Sequence, residues 1–174
     1  MGYEGVGGVG ESTHPDVSVG ERVMGLMGWK EYCLGSGPGL NKVQEGLDPL
    51  MVLSVFALQG VTAMQGVYGV AKPKTGETIV VSGAAGSVGS IVGQLAKADG
   101  LTVIGVAGND EKCHWIVDEL GFDGAINYKT DNIAVKLAEL TPNGVDIYLE
   151  NTGGAIQNHI FEAMNAHGRI AVCG

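Results

Sequence analysis

Residues 78–100, TIVVSGAAGSVGSIVGQLAKADG, decide how the rest of the chain is read. Thr78, Ile79, Val80 and Val81 form a β-branched run that leads into a glycine cluster, Gly83, Gly86 and Gly89, as a buried parallel strand would. After the cluster, Val88, Ile91, Val92, Leu95 and Ala96 fall at i, i+3, i+4, i+7 and i+8, which is one helical face. The unit is therefore strand, tight glycine turn, helix. Such a turn presents unpaired backbone N–H groups at the positive end of a helix macrodipole, and without side chains a pyrophosphate can approach them. The spacing Ala84-x-Gly86-x-x-Gly89 follows the dinucleotide fingerprint with alanine in the first glycine place. Gly86 would let phosphates reach the backbone, and Gly89 would let the helix pack closely on the strand. By contrast GVGGVG, with Gly5, Gly7 and Gly10, matches the glycine spacing letter for letter but leads into ESTHPDVS, with Pro15 and no apolar period. No strand enters it and no helix leaves it, so it reads as loop and strand edge with no cofactor role.

An apolar content of 45% over 174 residues is ample for a sizeable core, and 30 glycines suit a turn-rich α/β protein. A net charge of −9 argues against nucleic acid or an anionic membrane as the main partner, since both need a basic surface. No apolar run is long enough to span a bilayer, and MGYEGVGG lacks the charged and apolar regions of a signal peptide, so the expected location is cytoplasmic. Cys33, Cys113 and Cys173 are odd in number and far apart, which supports neither a disulfide framework nor a paired zinc motif; they read as small buried or half-buried residues.

Residues 1–48 have β character, with short apolar pieces at 22–27 and 31–34 broken by Gly20, Gly28, Gly35 and the turn-rich GSGPG at 35–39. Asp48-Pro49 reads as an N-cap followed by proline at the first helical position, and LMVLSVFAL at 50–58 as a buried helix. A second helix is expected over 61–70, and the domain change near Asp48. From Thr78 onward strand and helix alternate regularly. Strands are expected at 78–82, 101–107, 125–128, 145–150 and 169–173, with helices at 87–98, after a cap at Asp110, at 133–140 and at about 155–164. This implies right-handed crossovers and a doubly wound parallel sheet, with two domains at 1–48 and 49–174. In the order 3-2-1-4-5 the switch point lies between the first and fourth strands, whose ends carry the glycine turn and Glu150-Asn151-Thr152-Gly153-Gly154.

The choice between NAD and NADP is made at the end of the second strand. Here it ends in Val106-Ala107-Gly108-Asn109, small and neutral. Asp110 is a candidate for the ribose hydroxyls but stands where a helix cap is expected. Lys112, one turn into the helix, is a candidate for a 2′-phosphate and is otherwise a solvated lysine, so the residues lean towards NADP.

VSGAAGSVGSIVGQLAK, GNDEK, ELGFDGAINYK, PNGVDIYLENTGG and GRIAVCG, in this order, resemble the medium-chain dehydrogenase/reductase superfamily. Within it they are most similar to the zinc-independent branch of prostaglandin reductases, leukotriene B4 12-hydroxydehydrogenases, curcumin reductases and plant 2-alkenal reductases. GVGGVGESTHPDVSVGERVMGLMGWKEY resembles the end of that family's chaperonin-10-like catalytic domain. The resemblance implies a Rossmann domain that holds NADPH through Ala85, Gly86, Ser87, Val88 and Gly89. It also implies a 2′-phosphate contact from Lys112 and further contacts from Tyr128, Asn151, Cys173 and Gly174.

Two departures from the family pattern stand out. Zinc-dependent relatives read Gly-His-Glu from the place of Gly2, and here Tyr3 replaces the histidine, a poor zinc ligand. The usual Thr-Ala-Tyr is Thr62-Ala63-Met64. The resemblance implies reduction of the activated C=C bond of an enal or enone, a small α,β-unsaturated carbonyl, by hydride from NADPH without a metal, and a homodimer in the full-length form. Quinone reduction and a non-catalytic NADP-binding offshoot are the alternatives. No proton donor is identified: His14, His114, His159 and His167 read as solvated or packed, and Ser82 and Ser87 lack a nucleophile-elbow pattern. Compared with the family, the chain reads as a fragment without the first part of the catalytic domain, the sixth strand and the C-terminal return. By itself it is expected to bind NADPH weakly and turn over poorly.

Overall fold

The structure, a computed structural model, describes residues 3–37 and 39–174; Gly2 and Pro38, which enter the sequence reading above, lie outside that set. Contacts divide the chain into two compact units, Met1–Gln59 and Gly60–Gly174.

In the first unit β1 (Gly5–Gly8), β2 (Arg22–Gly25) and β3 (Asn41–Lys42) form an antiparallel sheet in that order. The GVGG stretch is thus an edge strand, paired Val6 to Met24 and Gly7 to Val23, and no helix follows it. Residues 31–34, expected as a β piece, form a bend at 31–32 and irregular chain at 33–34 instead. Asp48 caps α1 (Pro49–Ser54) by accepting from the Leu50 N–H at 2.8 Å, with proline at the start as anticipated. The expectation of a buried helix over 50–58 is corrected. The helix ends at Ser54, and of its residues only Val52 is buried, while Leu50 is 75% exposed. A helix that is apolar all round is buried only where it has neighbours all round, and within this unit α1 packs on β1.

The chain continues through α2 (Leu58–Met64) into a π-helical stretch, Gln65–Ala71, where one α-helix was expected over 61–70. The wide turn is closed by the Lys72 N–H donating to Val67 O five residues back at 2.8 Å, and Lys72 sits at φ 49°. Val67 and Ala71 are thereby buried in the same core as Ala63.

From here the alternation follows the sequence reading: β4 (Thr78–Ser82), α3 (Ser87–Ala98), β5 (Thr102–Ala107), α4 (Asp110–Asp118), β6 (Gly124–Asn127), α5 (Ile133–Leu140), β7 (Val145–Glu150), α6 (Ala155–Glu162) and β8 (Met164–Val172). The five strands are parallel in the order β6-β5-β4-β7-β8, the expected 3-2-1-4-5. The strands β4, β5, β6 and β7 are buried on both faces because helices cover both, whereas β8 at the edge leaves Ile170 and Val172 exposed. Ile79, Val81, Ile147 and Leu149 pack with Val92 and Ala96 of α3 and Ile116 of α4, while Val80, Ile104, Ile126 and Tyr148 pack with Leu137 of α5 and Ile160 of α6. The last strand begins at Met164 rather than 169, because its pairing jumps: Val145 opposes Met164 but Ile147 opposes Arg169. The looped-out residues include His167 at φ 65°, within the strand rather than before it. Asn165 is held there by Nδ2 donating to Asp146 Oδ1 at 2.8 Å.

Arg169 clamps the opposite edge of this unit. Its guanidinium grips Glu77 through both oxygens, one contact at 2.9 Å, and its Nε donates to Ala71 O at 3.0 Å, tying β8 to β4 and to the end of the π-helical stretch.

Candidate functional site

The carboxyl ends of the parallel strands lie on one edge, and β4 and β7 flank the switch point in strand order. Leaving β4, Gly83 takes φ 59° and Ala84 N–H donates to Val106 O at 3.1 Å, so the turn is anchored on β5. A Cβ on Gly89 would stand 2.4 Å from Gly83 O and 2.8 Å from Ala84 Cα, so α3 approaches β4 at a distance only glycine permits. Gly86 is the N-cap residue and no side chain caps the helix. The first-turn N–H groups of Ser87, Val88 and Gly89 have no acceptor four residues back within the helix. Gly86 and Ser87 are exposed and Ala85 and Val88 half-buried, which leaves the turn accessible at the edge.

Across the switch point a buried polar cluster holds the start of the 151–154 turn. Ser82, fully buried, donates its hydroxyl proton to Glu150 Oε1 at 2.9 Å and accepts from the Asn151 N–H at 2.8 Å. Asn151 Nδ2 donates to Ser82 O at 2.8 Å. Glu150, 3% exposed, also accepts from the Tyr148 hydroxyl and from the N–H groups of Thr152 and Gly153. Burial works to raise the Glu150 carboxyl, but the donors, Tyr148 foremost, outweigh it and hold the carboxyl below its ordinary range. Burial, and then the bond to Glu150, push the Tyr148 phenol well above its ordinary value. The end of β8 runs beside this turn: Cys173 N–H donates to Glu150 O at 2.8 Å, and a Cβ on Gly174 would lie 2.8 Å from Asn151 O. Burial raises the half-buried Cys173 thiol.

On the other side of β4 lie the ends of β5 and β6. The expected cap at Asp110 is corrected to Asn109, whose Oδ1 accepts from the Lys112 N–H at 2.8 Å. Asp110 instead accepts from Asn127 Nδ2 at 2.6 Å, joining α4 to the end of β6. The exposed Lys112 side chain stands on the first turn of α4. The Tyr128 ring lies against Gly108, where an added Cβ would come 3.2 Å from the phenol oxygen, and Lys129 Nζ stands 5.9 Å from the ring centre.

All ten residues expected to hold the cofactor thus fall on or beside the carboxyl edge: 85–89, Asn151, Cys173 and Gly174 around β4, β7 and β8, and Lys112 and Tyr128 at β5 and β6. Sequence reasoning missed Ser82, Tyr148 and Glu150 as a unit, although a serine and a glutamate at the ends of adjacent apolar strands were the available signal. It also missed Asn127. The four histidines are exposed. So is Cys33, against expectation, since residues 31–34 form no strand to bury it.

The family of zinc-binding dehydrogenases matches residues 87–174. The chain is 42% identical over 165 residues to the NADPH-dependent curcumin reductase of Escherichia coli, covering 94% of the chain and 48% of that protein. It is 41% identical over 176 residues to the NADP(+)-dependent 2-alkenal reductase of Nicotiana tabacum, covering 99% and 51%. CurA of Vibrio vulnificus, solved with NADPH, superposes with a TM-score of 0.89 at 38% identity, covering 96% of the chain and 50% of CurA. The chain therefore spans about half the length of the relatives it matches. Among the described residues no three of His, Cys, Asp and Glu converge where they could hold a metal ion. The chain belongs to the zinc-binding dehydrogenase family, within the medium-chain dehydrogenase/reductase superfamily.

Proposed function

We propose that the protein is an NADPH-dependent reductase of the activated C=C bond of enals and enones. In this reading residues 49–174 form the Rossmann part that binds the cofactor, and 1–48 belong to a chaperonin-10-like catalytic domain. The observation that carries the proposal is the uncapped, glycine-lined start of α3 at the switch point, in a chain whose relatives are named for reducing curcumin and 2-alkenals with NADPH. The free N–H groups of Ser87, Val88 and Gly89, with Ala85 and Gly86 beside them, suit the pyrophosphate, because a helix N-terminus without side chains offers donors and a positive dipole end together. Lys112, on the first turn of α4 after the second strand of the sheet, suits the 2′-phosphate, and Tyr128, against Gly108 at the end of that strand, suits a flat wall for the adenosine half. Asn151, Cys173 and Gly174 suit the nicotinamide half across the switch point.

When bound, the nicotinamide supplies a hydride to the β-carbon of the conjugated carbonyl. The residues of this chain would hold distance and face fixed, and the enolate left by the hydride takes its proton at the α-carbon from solvent water. A carbonyl in conjugation is already electrophilic at its β-carbon, so the reading needs no metal. The test uses NADPH deuterated at C4. Incubated with the purified chain and an alkenal or alkenone, it is expected to deliver deuterium to the β-carbon of the saturated product, detected by mass spectrometry even at slow turnover. A chain that binds NADPH yet transfers no deuterium to any such acceptor contradicts the reading.

A further inference from the structure

The switch-point cluster fixes a polarity as well as a shape. A serine hydroxyl has one proton to give, and an ionised carboxylate can only accept. The Asn151 backbone N–H can only donate, so the Ser82 oxygen accepts from it, and the hydroxyl proton goes to Glu150 Oε1 at 2.9 Å, nearer than Leu149 O at 3.4 Å. The Asn151 side chain places one amide atom 2.8 Å from Ser82 O. A carbonyl oxygen accepts only, so that atom is Nδ2, and the choice between the amide's two ends is settled by the chemistry of its partner. The Oδ1 is then the free end of the amide. No described residue donates to it, and Asn151 is half-buried beside the turn, its Cβ 3.4 Å from where a Cβ on Gly83 would be.

We infer that the Ser82 main-chain carbonyl turns the Asn151 amide with Oδ1 outward, and that the Ser82 hydroxyl and Glu150 are positioning residues that hold the Asn151 main chain in place, so that the cofactor group meeting Oδ1 is a donor: a ribose hydroxyl or the carboxamide N–H of the nicotinamide. The inference rests on reading this edge as the dinucleotide site. Glu150 acts through Ser82, and Ser82 through Asn151. A cofactor oxygen brought to the same place would face Oδ1 and be repelled.

The experiment is a thermodynamic cycle of NADPH affinity, read by fluorescence titration, on the chain and its Ser82→Ala, Asn151→Ala and doubly substituted forms. Each single change is expected to weaken NADPH about tenfold, the effect of one lost hydrogen bond, and the double variant to be no weaker than Asn151→Ala. Ser82→Thr, which keeps the hydroxyl, is expected to retain wild-type affinity. Asn151→Asp keeps the size of the side chain but sets an oxygen against Ser82 O. It is expected to lose at least as much as Asn151→Ala, and it serves as the test should Ser82→Ala not fold. The reduced 3-acetylpyridine analogue of NADPH, which lacks the carboxamide N–H, separates the two donors. If Asn151→Ala weakens the analogue as it weakens NADPH, the donor is a ribose hydroxyl; if it leaves the analogue unaffected, the donor is the carboxamide. Losses that add in the double variant, or wild-type affinity in Asn151→Asp, overturn the inference while the functional reading stands. A wild-type chain that binds no NADPH overturns both.

Discussion

The two units of the chain treat their apolar residues differently. In Gly60–Gly174 the strand residues Ile79, Val80, Val81, Ile147 and Leu149 are at most 1% exposed. In Met1–Gln59 the buried hydrophobics are Val23, Val52 and Ala57, while Trp29, Tyr32 and Leu34 are 86%, 91% and 105% exposed. Apolar content is not the cause, since both units are rich in it. The second unit has three layers, with helices on both faces of a parallel sheet, so the side chains of β4, β5, β6 and β7 meet partners on both faces and only the edge strand β8 leaves apolar residues open. Among its described residues the first has three short strands and one six-residue helix, too little to cover its own faces. Layering, rather than hydrophobicity, decides where this chain is firmly built.

The comparison breaks most completely at Gly89. Gly89→Ala puts a methyl group against backbone atoms that cannot rotate away, and is expected to cost about 3 kcal/mol or more. Urea unfolding followed through Trp115 of the second unit, with Trp29 of the first replaced by Phe, would show the midpoint fall and the NADPH site lost with it. A smaller effect is expected from acid. The bidentate Arg169 contact holds the Glu77 carboxyl below its ordinary value, and hydrogen bonds do the same for Glu150. A depressed carboxyl contributes stability that is fully present above its unfolded pKa, near ~4.5, and is lost as pH falls through the lower folded value. Urea midpoints should therefore be level from about pH 7 to 5 and drop below ~4.5, and Glu77→Gln should flatten part of that drop. The smallest effect sharpens the contrast. Leu34→Ser, at a side chain that touches almost nothing, should change stability by less than about 0.5 kcal/mol, and a large loss there would show a layer over the first unit.

The second unit was legible because its physics is local and periodic. β-Branched runs, glycine turns and one-faced helices fixed four of five strands to within a residue at either end, and the strand order with them. What stayed hidden depended on partners distant in the chain. Asn109 and Asp110 are both capping residues, and only the contact of Asp110 with Asn127 decides that Asn109 caps. Ser82 and Glu150 are 68 residues apart and become a pair only once β4 lies beside β7. The buried helix read at 50–58 failed because composition says what a helix would like to touch and not what is there. The π-helical turn at Gln65–Ala71 and the early start of β8 are single-register events that hydrophobic period does not resolve. The ten residues expected to hold the cofactor came mainly from family resemblance, and the topology gathers them along one edge of the sheet.

NADPH and NADH titrated against the chain by fluorescence, with Lys112→Ala alongside, test the central claim most directly. The account predicts that NADPH binds at least about tenfold tighter than NADH, and that Lys112→Ala removes the difference without unfolding the protein. Equal binding of the two nucleotides, or a preference that survives Lys112→Ala, would contradict it.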